Sequence, residues 1–100
     1  PFFLLCGYGE TGRELTRALT DRGQHVVVVD RDPLKVSTIR LQNLRDYVPV
    51  LHGNARRPVI LQEAGLQHPL CAGVVALTHD NEVNLKIALT AKLLNPHITV

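Results

Sequence analysis

The chain has 100 residues, the size of one domain or of part of one. Its 11 basic and 9 acidic residues give a formal charge of +2, and the arginines are scattered, so the charge pattern gives no support for nucleic acid as a partner. With 45% hydrophobic and 20% charged residues the chain can bury a core, and no apolar run approaches the ~18 residues needed to cross a bilayer. Cys6 and Cys71 lack metal or redox spacing, which favours reduced thiols in a cytosolic setting.

The chain opens with a predicted strand and a glycine-rich turn. Phe2 to Cys6 form a continuous apolar run, typical of a strand covered on both faces of a parallel sheet. Three glycines then give the pattern G-x-G-x-x-G: Gly7, Gly9 and Gly12. On its own this pattern is weak evidence, because it also fits a tight strand-to-helix connection.

A helix is expected directly after the first glycines, from about Glu10 to Arg22. Leu15, Ala18 and Leu19 recur at helical spacing and predict its buried stripe. The first N–H groups of such a helix have no intrahelical partners, and the helix dipole is positive at the same end. This end of the helix therefore predicts an anion site that fits a diphosphate.

The second strand supplies the residue that strengthens the glycine pattern. Gln24 to Asp30 is a β-branched run, and Asp30 ends it 18 residues after Gly12. A dinucleotide-binding fold needs a carboxylate there to accept the ribose hydroxyls of adenosine, although Asp30 could also simply be a polar residue that ends a strand. The carboxylate favours NAD over NADP, an argument that the neighbouring Arg31 weakens without reversing.

The second helix and third strand follow in the order that a doubly wound fold requires. Asp32 can cap a helix in which Pro33 occupies the first position and which extends to about Leu41. Tyr47 to Leu51 predict the third strand, and Pro49, which has no N–H to donate, predicts that it lies at the sheet edge. The third strand is the edge in the order 3-2-1-4-5, so the two arguments agree.

Polar residues follow the third and fourth predicted strands, at the edge where such sheets bind ligands. Asn54 could hydrogen-bond an adenine edge or form an Asx turn, and these alternatives stay open. After a short helix that begins at Pro58 and is ended by Gly65, Val74 to Leu77 predict the fourth strand, and Thr78 faces the same edge.

The last predicted elements complete the pattern. His79 and Asp80 precede a helix that Asn95-Pro96 ends, and its apolar stripe consists of Val83, Ile87, Ala91 and Leu94. Ile98 to Val100 begin a fifth strand. The sequence predicts an α/β Rossmann fold: a doubly wound parallel sheet of strand order 3-2-1-4-5, one nucleotide-binding domain over residues 1–100 with an incomplete carboxyl end, truncated before a sixth strand.

The sequence lacks the recognisable patterns of catalytic residues. No Tyr-x-x-x-Lys pair, no histidine pair at i,i+4 and no nucleophile elbow is present. These absences favour a binding protein over an enzyme.

The sequence resembles the N-terminal nucleotide-binding domain of the TrkA and RCK (regulator of potassium conductance) family. His52 to Ala55 is similar to the family's Gly-Asp-Ala turn, and Leu61 to Leu66 is similar to its leucine-acidic-alanine-glycine helix end. Val74 to Pro96 resembles its fourth strand and following helix almost throughout. Two positions depart from the family: Asn54 stands where Asp is usual, and Glu10 where an arginine is frequent.

The resemblance implies a regulatory domain that binds an adenine nucleotide and controls a potassium channel or transporter from the cytoplasmic side of the cell membrane. Such domains pair as homodimers or larger homo-oligomers. The cofactor-binding residues it implies, together with the glycine motif, are Gly7, Tyr8, Gly9, Glu10, Thr11 and Gly12 at the diphosphate, Asp30 and Arg31 at the ribose, Asn54 and Ala55 near adenine, and Thr78 over the second half of the nucleotide.

The carboxylate of Glu10 ranks NAD(H) above ATP, because it repels a triphosphate more strongly than a diphosphate, and ATP or ADP stay possible ligands. Two other functions remain open on the sequence. The chain could be the cofactor-binding half of an NAD-dependent oxidoreductase, or a structural and dimerisation domain without a ligand; a methyltransferase is a more distant possibility.

Overall fold

The computed structural model describes residues 1–100, arranged as a four-stranded parallel sheet flanked by helices. The strands are β1 (Phe2–Cys6), β2 (His25–Asp30), β3 (Val50–His52) and β4 (Cys71–Ala76), and the helices are α1 (Glu10–Asp21), α2 (Pro33–Leu41), α3 (Pro58–Glu63) and α4 (Asn81–Leu94). The strand order is β3-β2-β1-β4, which confirms the doubly wound fold. None of the helices combines the length and apolarity of a bilayer-spanning segment.

The two faces of the sheet bury separate cores, because successive side chains of a strand point to opposite faces. Leu4 of β1 belongs to a cluster with Leu61 and Ile87, which covers the α3 and α4 face. Leu5, its neighbour, belongs to a second cluster with Ile39, on the α1 and α2 face. Both faces of β1 are therefore covered, as its apolar run predicts.

The predicted stripe of α1 is confirmed at Leu15 and Leu19, which pack partly buried against the core, but the helix also buries residues that were not predicted. Its fully buried residues are Gly12, Thr16 and Thr20, whereas Ala18 is exposed. The Thr16 hydroxyl donates to the carbonyl of Gly12 at 2.8 Å, and that of Thr20 donates to the carbonyl of Thr16 at 2.9 Å. Small residues whose hydroxyls are satisfied inside the helix let α1 lie close to the sheet, and hydropathy alone does not reveal them.

The third strand is shorter and later than predicted. It begins at Val50 rather than Tyr47 and includes His52. Pro49 lies just outside it, and its carbonyl accepts a hydrogen bond from the amide of Val28 at 2.9 Å. The predicted edge position is confirmed, because β3 pairs only with β2.

The fourth strand begins earlier than predicted, at Cys71 rather than Val74, because Cys71 pairs with Phe2 at the start of β1. The predicted fifth strand is reduced to one parallel bridge between Gly73 and Thr99, with the Val74 amide donating to the Thr99 carbonyl at 2.9 Å. This bridge lies beside β4, the position that the order 3-2-1-4-5 requires.

The predicted helix ends are confirmed where a capping side chain or a glycine backbone angle fixes the end. Asp32 caps α2 with Pro33 in its first turn, and Asp80 caps α4. Gly65 follows α3 with φ of +103°, the left-handed conformation expected of a glycine cap. α1 ends at Asp21, and Arg22 is its C-cap.

Candidate functional site

A cavity of about 860 Å³ lies at the carboxyl edge of the sheet, within the size range of small-molecule sites. It is formed by the turns that follow all four strands. Ten of the eleven sequence-predicted site residues line it: Gly7, Tyr8, Gly9, Glu10, Thr11, Asp30, Arg31, Asn54, Ala55 and Thr78. The eleventh, Gly12, is buried beneath the glycine turn.

Two of the three glycines are required by the packing of the protein itself. Gly7 has φ of +102°, and a Cβ atom there would lie 2.8 Å from the carbonyl oxygen of Leu77. A Cβ atom on Gly12 would lie 2.4 Å from the carbonyl oxygen of Gly7. The turn and the first residues of α1 are therefore pressed together by backbone contacts that leave no room for a side chain.

Gly9 is different, because a Cβ atom there would meet nothing within 4 Å. It is the N-cap of α1 and makes no side-chain cap. The amides of Gly9, Glu10, Thr11 and Gly12 donate to no acceptor within the protein. The bare backbone at Gly9 thus opens onto four free N–H groups, an arrangement that suits a bound phosphate.

Asp30 directs its carboxylate at the glycine turn. Oδ2 accepts a hydrogen bond from the amide of Tyr8 at 2.7 Å, and Oδ1 accepts one from the amide of Asp32 at 2.9 Å. Each carboxylate oxygen keeps a further lone pair, so the half-buried group retains the capacity to accept from two hydroxyls. The residues present therefore fit a ribose beside a phosphate.

Tyr8 is one of the residues that line this cavity. Its side chain is buried in the α1 and α2 core, and its hydroxyl donates to Oε1 of Gln42. Burial raises the pKa of the Tyr8 hydroxyl, against the opposing effect of the Arg13 and Arg17 guanidinium groups. The phenol therefore stays protonated at neutral pH and serves packing.

The turn after β3 has the geometry of an Asx turn. Oδ1 of Asn54 accepts from the amide of Arg56 at 3.0 Å, and Ala55 packs into the core with 9% of its surface exposed. Of the two alternatives for Asn54, the Asx turn is the one that the structure contains. Its amide nitrogen has no protein partner.

The turn after β4 is held by Asn84, a residue that the sequence analysis did not single out. Its Oδ1 accepts from the Thr78 amide at 2.9 Å and from the Thr78 hydroxyl at 2.6 Å. Its Nδ2 donates to the Thr78 carbonyl at 3.1 Å. An asparagine in the first turn and a half of a helix, where its propensity is poor, was the available signal.

Charged side chains of both signs line the cavity. The basic ones are Arg31, Lys35 and Arg56, and the acidic ones are Glu10, Asp30, Asp32 and Asp80. Lys35 and Arg56 were not identified from the sequence, because their place in the cavity lining depends on how the turns after β2 and β3 come together. The mixed charge suits a ligand that carries both anionic and hydrogen-bonding groups.

Comparison with known proteins supplies the family. The model of the TrkA-N domain family matches residues 3–100. The chain belongs to the TrkA-N domain family. This confirms the resemblance to TrkA-type domains that the sequence indicates.

Relatives of this TrkA-N domain are much longer proteins. The glutathione-regulated potassium-efflux system protein KefC of Salmonella arizonae is 27% identical over 100 residues, and an uncharacterised protein of Methanothermus fervidus is 30% identical over 98 residues. The domain spans about 15% of the length of each.

Solved structures share its fold. The TrkA-N domain of the inner membrane protein ybaL from Escherichia coli matches 97% of this chain and 67% of its own, with a TM-score of 0.82 and 25% identity. The Kef CTD of Shewanella denitrificans in AMP-bound form matches 99% of this chain and 56% of its own, with a TM-score of 0.80 and 22% identity. The NAD(P)-binding domain of an exopolyphosphatase-related protein from Archaeoglobus fulgidus matches 93% and 65%, with a TM-score of 0.77 and 20% identity.

Proposed function

We propose that this TrkA-N domain binds an adenine nucleotide, with NAD(H) preferred, at the carboxyl edge of its sheet and thereby regulates a potassium channel or transporter. The observation that carries the proposal is the open amino end of α1, where bare Gly9 exposes four free amides beside the carboxylate of Asp30. In this proposal the domain catalyses no reaction.

The residues present would hold the nucleotide in three parts. The amides from Gly9 to Gly12 would bind the diphosphate, because they are unpaired and lie at the positive end of a helix. Asp30 would accept from the ribose hydroxyls. The turns after β3 and β4, with Ala55 and Thr78, would bound the adenine and the second half of the ligand.

The comparisons support an adenine nucleotide as the ligand class. One structural neighbour has AMP bound, and another is described as an NAD(P)-binding domain. Glu10 supports NAD(H) over ATP, because its exposed carboxylate lines the cavity and opposes a triphosphate more than a diphosphate.

The potassium-transport role is supported by the KefC relatives, in which this domain is a small part of the whole length. We infer that the domain lies on the cytoplasmic side of the membrane and pairs with a second copy. Regulation then requires that nucleotide bind one arrangement of the pair more tightly, with a coupling free energy of about 1–3 kcal/mol.

The substitution Gly9→Ala tests the nucleotide site directly. A methyl group there contacts nothing in the protein, so the melting temperature without ligand should stay within about 2 °C of wild type. With a dissociation constant of about 10 µM, 1 mM NAD, NADH, ADP or ATP would raise the melting temperature of the wild-type chain by about 10 °C. G9A should lose most of that rise, because its methyl group fills the approach to the amides.

A ligand-free structural domain is the second candidate function. It is favoured by the hydrogen bonds that Asp30, Asn54 and Thr78 already make within the protein. Thermal unfolding separates the two candidates: a wild-type chain whose melting temperature none of the four nucleotides changes at millimolar concentration contradicts nucleotide binding and leaves the structural domain.

A further inference from the structure

We propose that Asn84 is a positioning residue for the nucleotide cavity: it fixes the turn after β4 against the glycine turn, and so sets the geometry of the phosphate end without contacting the ligand. This inference rests on the nucleotide-binding function proposed above. It assigns a role in binding to a residue that does not line the cavity.

All the hydrogen bonds of the Asn84 side chain go to one residue. Oδ1 accepts from the Thr78 amide at 2.9 Å and from the Thr78 hydroxyl at 2.6 Å, while Nδ2 donates to the Thr78 carbonyl at 3.1 Å. Both main-chain polar groups of Thr78 are thereby held by one side chain. The hydroxyl of Thr78 also accepts from the amide of Asp80 at 3.3 Å, which links the turn to the cap of α4.

Thr78 in turn lies directly against the glycine turn. A Cβ atom on Gly7 would lie 2.8 Å from the carbonyl oxygen of Leu77 and 2.9 Å from the amide nitrogen of Thr78. The Leu77 amide donates to the Cys6 carbonyl at 2.8 Å, so the residues up to Leu77 are fixed by the sheet. The next amide, that of Thr78, donates to the side chain of Asn84 and not to the sheet, so Asn84 fixes the chain at this point.

Loss of this clamp should loosen the cavity wall and leave the fold intact. Without Asn84, the half-buried main chain of Thr78 must hydrogen-bond to water, and several conformations become accessible to the turn after β4, which lies against the glycine turn. Binding must then select one of them, which weakens affinity, because the ordering that Asn84 supplies in the free protein becomes part of the binding free energy.

The same helix provides a matched control. Asn95 follows the last residue of α4, and its Nδ2 donates to the Leu66 carbonyl at 3.0 Å, also across to a different part of the chain. Asn95 does not line the nucleotide cavity. Asn95→Ala therefore removes a comparable asparagine-to-carbonyl bond at the other end of α4.

The experiment compares Asn84→Ala and Asn95→Ala in the purified 100-residue chain, with NAD titrated by calorimetry and thermal unfolding measured without ligand. We expect N84A to bind NAD about tenfold more weakly than wild type, and N95A to bind within twofold of wild type although its melting temperature falls. The inference is overturned if the two variants bind NAD with equal affinity. It is also overturned if the affinity of each variant falls in proportion to its melting temperature.

A second variant keeps the inference testable if the chain with Asn84→Ala does not fold. Asn84→Asp keeps the acceptor for the Thr78 amide and loses the donor to its carbonyl, so it retains part of the clamp, and its affinity should lie between those of N84A and wild type. An N84D chain that binds as wild type contradicts the proposal. Failure of wild type itself to bind NAD contradicts the proposed function instead, so the two failures are distinguishable.

Discussion

The amino ends of α1, α2 and α4 all meet the cavity at the carboxyl edge of the sheet, yet they differ in their helix caps. Asp32 accepts from the Leu34 amide at 2.9 Å to cap α2, and Asp80 accepts from the amides of Glu82 and Val83 at 2.9 and 3.4 Å to cap α4. α1 begins at Gly9 with no side-chain cap. Two of these helices are thus capped by side chains of the protein itself, whereas the first amides of α1 have no acceptor within the protein.

The comparison also shows how one glycine motif serves two purposes. Gly7 and Gly12 make the close approach of α1 to β1 and β4 possible, and a side chain at either would strike the backbone. Gly9 has no such role in the folded chain. The amino end of α1 therefore contains two glycines that the packing of the fold requires and one, Gly9, that it does not.

The largest expected effect tests the structural part of this comparison. Gly12→Ala would place a methyl group 2.4 Å from the Gly7 carbonyl oxygen, so α1 must move away from the turn. We expect a loss of about 3 kcal/mol in the free energy of unfolding and a fall of more than ~10 °C in melting temperature. G9A is the control, and a G12A chain as stable as G9A would show that the close contact is not needed.

A smaller effect is expected when α4 is made to resemble α1. Asp80→Ala removes the cap and should lower the free energy of unfolding by about 1 kcal/mol, while Asp80→Asn, which keeps an acceptor oxygen, should lower it less. An uncapped amino end alone does not make a nucleotide site, so calorimetry should still find one NAD per chain. A second equivalent of bound NAD in D80A would contradict the importance of Gly9 and Asp30.

The reverse change makes α1 resemble α2 and α4. The backbone of Gly9, with φ of −83° and ψ of −159°, is extended, and its Cβ direction is open, so Gly9→Asp can supply the missing cap. We expect a gain of about 0.5 kcal/mol in the free energy of unfolding together with loss of NAD binding, because the carboxylate takes the amides and repels phosphate. Undiminished NAD binding by G9D would mean that the ligand does not use this end of α1.

The smallest effect concerns the charge beside the open end. Glu10→Gln removes an exposed carboxylate from the first turn of α1, which should cost about 0.3 kcal/mol of stability through the helix dipole. It should also raise affinity for NAD about twofold and for ATP about fivefold at low salt. Glu14→Gln, one turn further along α1 and outside the cavity lining, is the control and should change neither affinity.

Much of the fold was predictable because its signals are local. The apolar run of β1 and the caps at Asp32 and Asp80 each act within a few residues, and the strand order followed from chirality and from Pro49. Ten of the eleven residues that the sequence predicted for the site line the cavity, since parallel strands bring their carboxyl ends to one edge, although the cavity has 20 lining residues in all. The predicted start of β3 was wrong, and the buried threonines of α1 were not predicted, because both depend on which side chains and carbonyl groups the neighbouring strand presents.

By itself, then, the amino-acid sequence determined the order of elements, the glycine turn, the carboxylate one strand away and the membership of the TrkA-N family. Only the tertiary structure decided that Asp30 accepts a hydrogen bond from the Tyr8 amide, that Asn84 accepts one from the Thr78 amide and that Gly9 faces open space. The physical reason is separation along the chain. Tyr8 and Asp30, for example, are distant in the sequence. The geometry of the hydrogen bond between them is set by the packing of complete strands and helices.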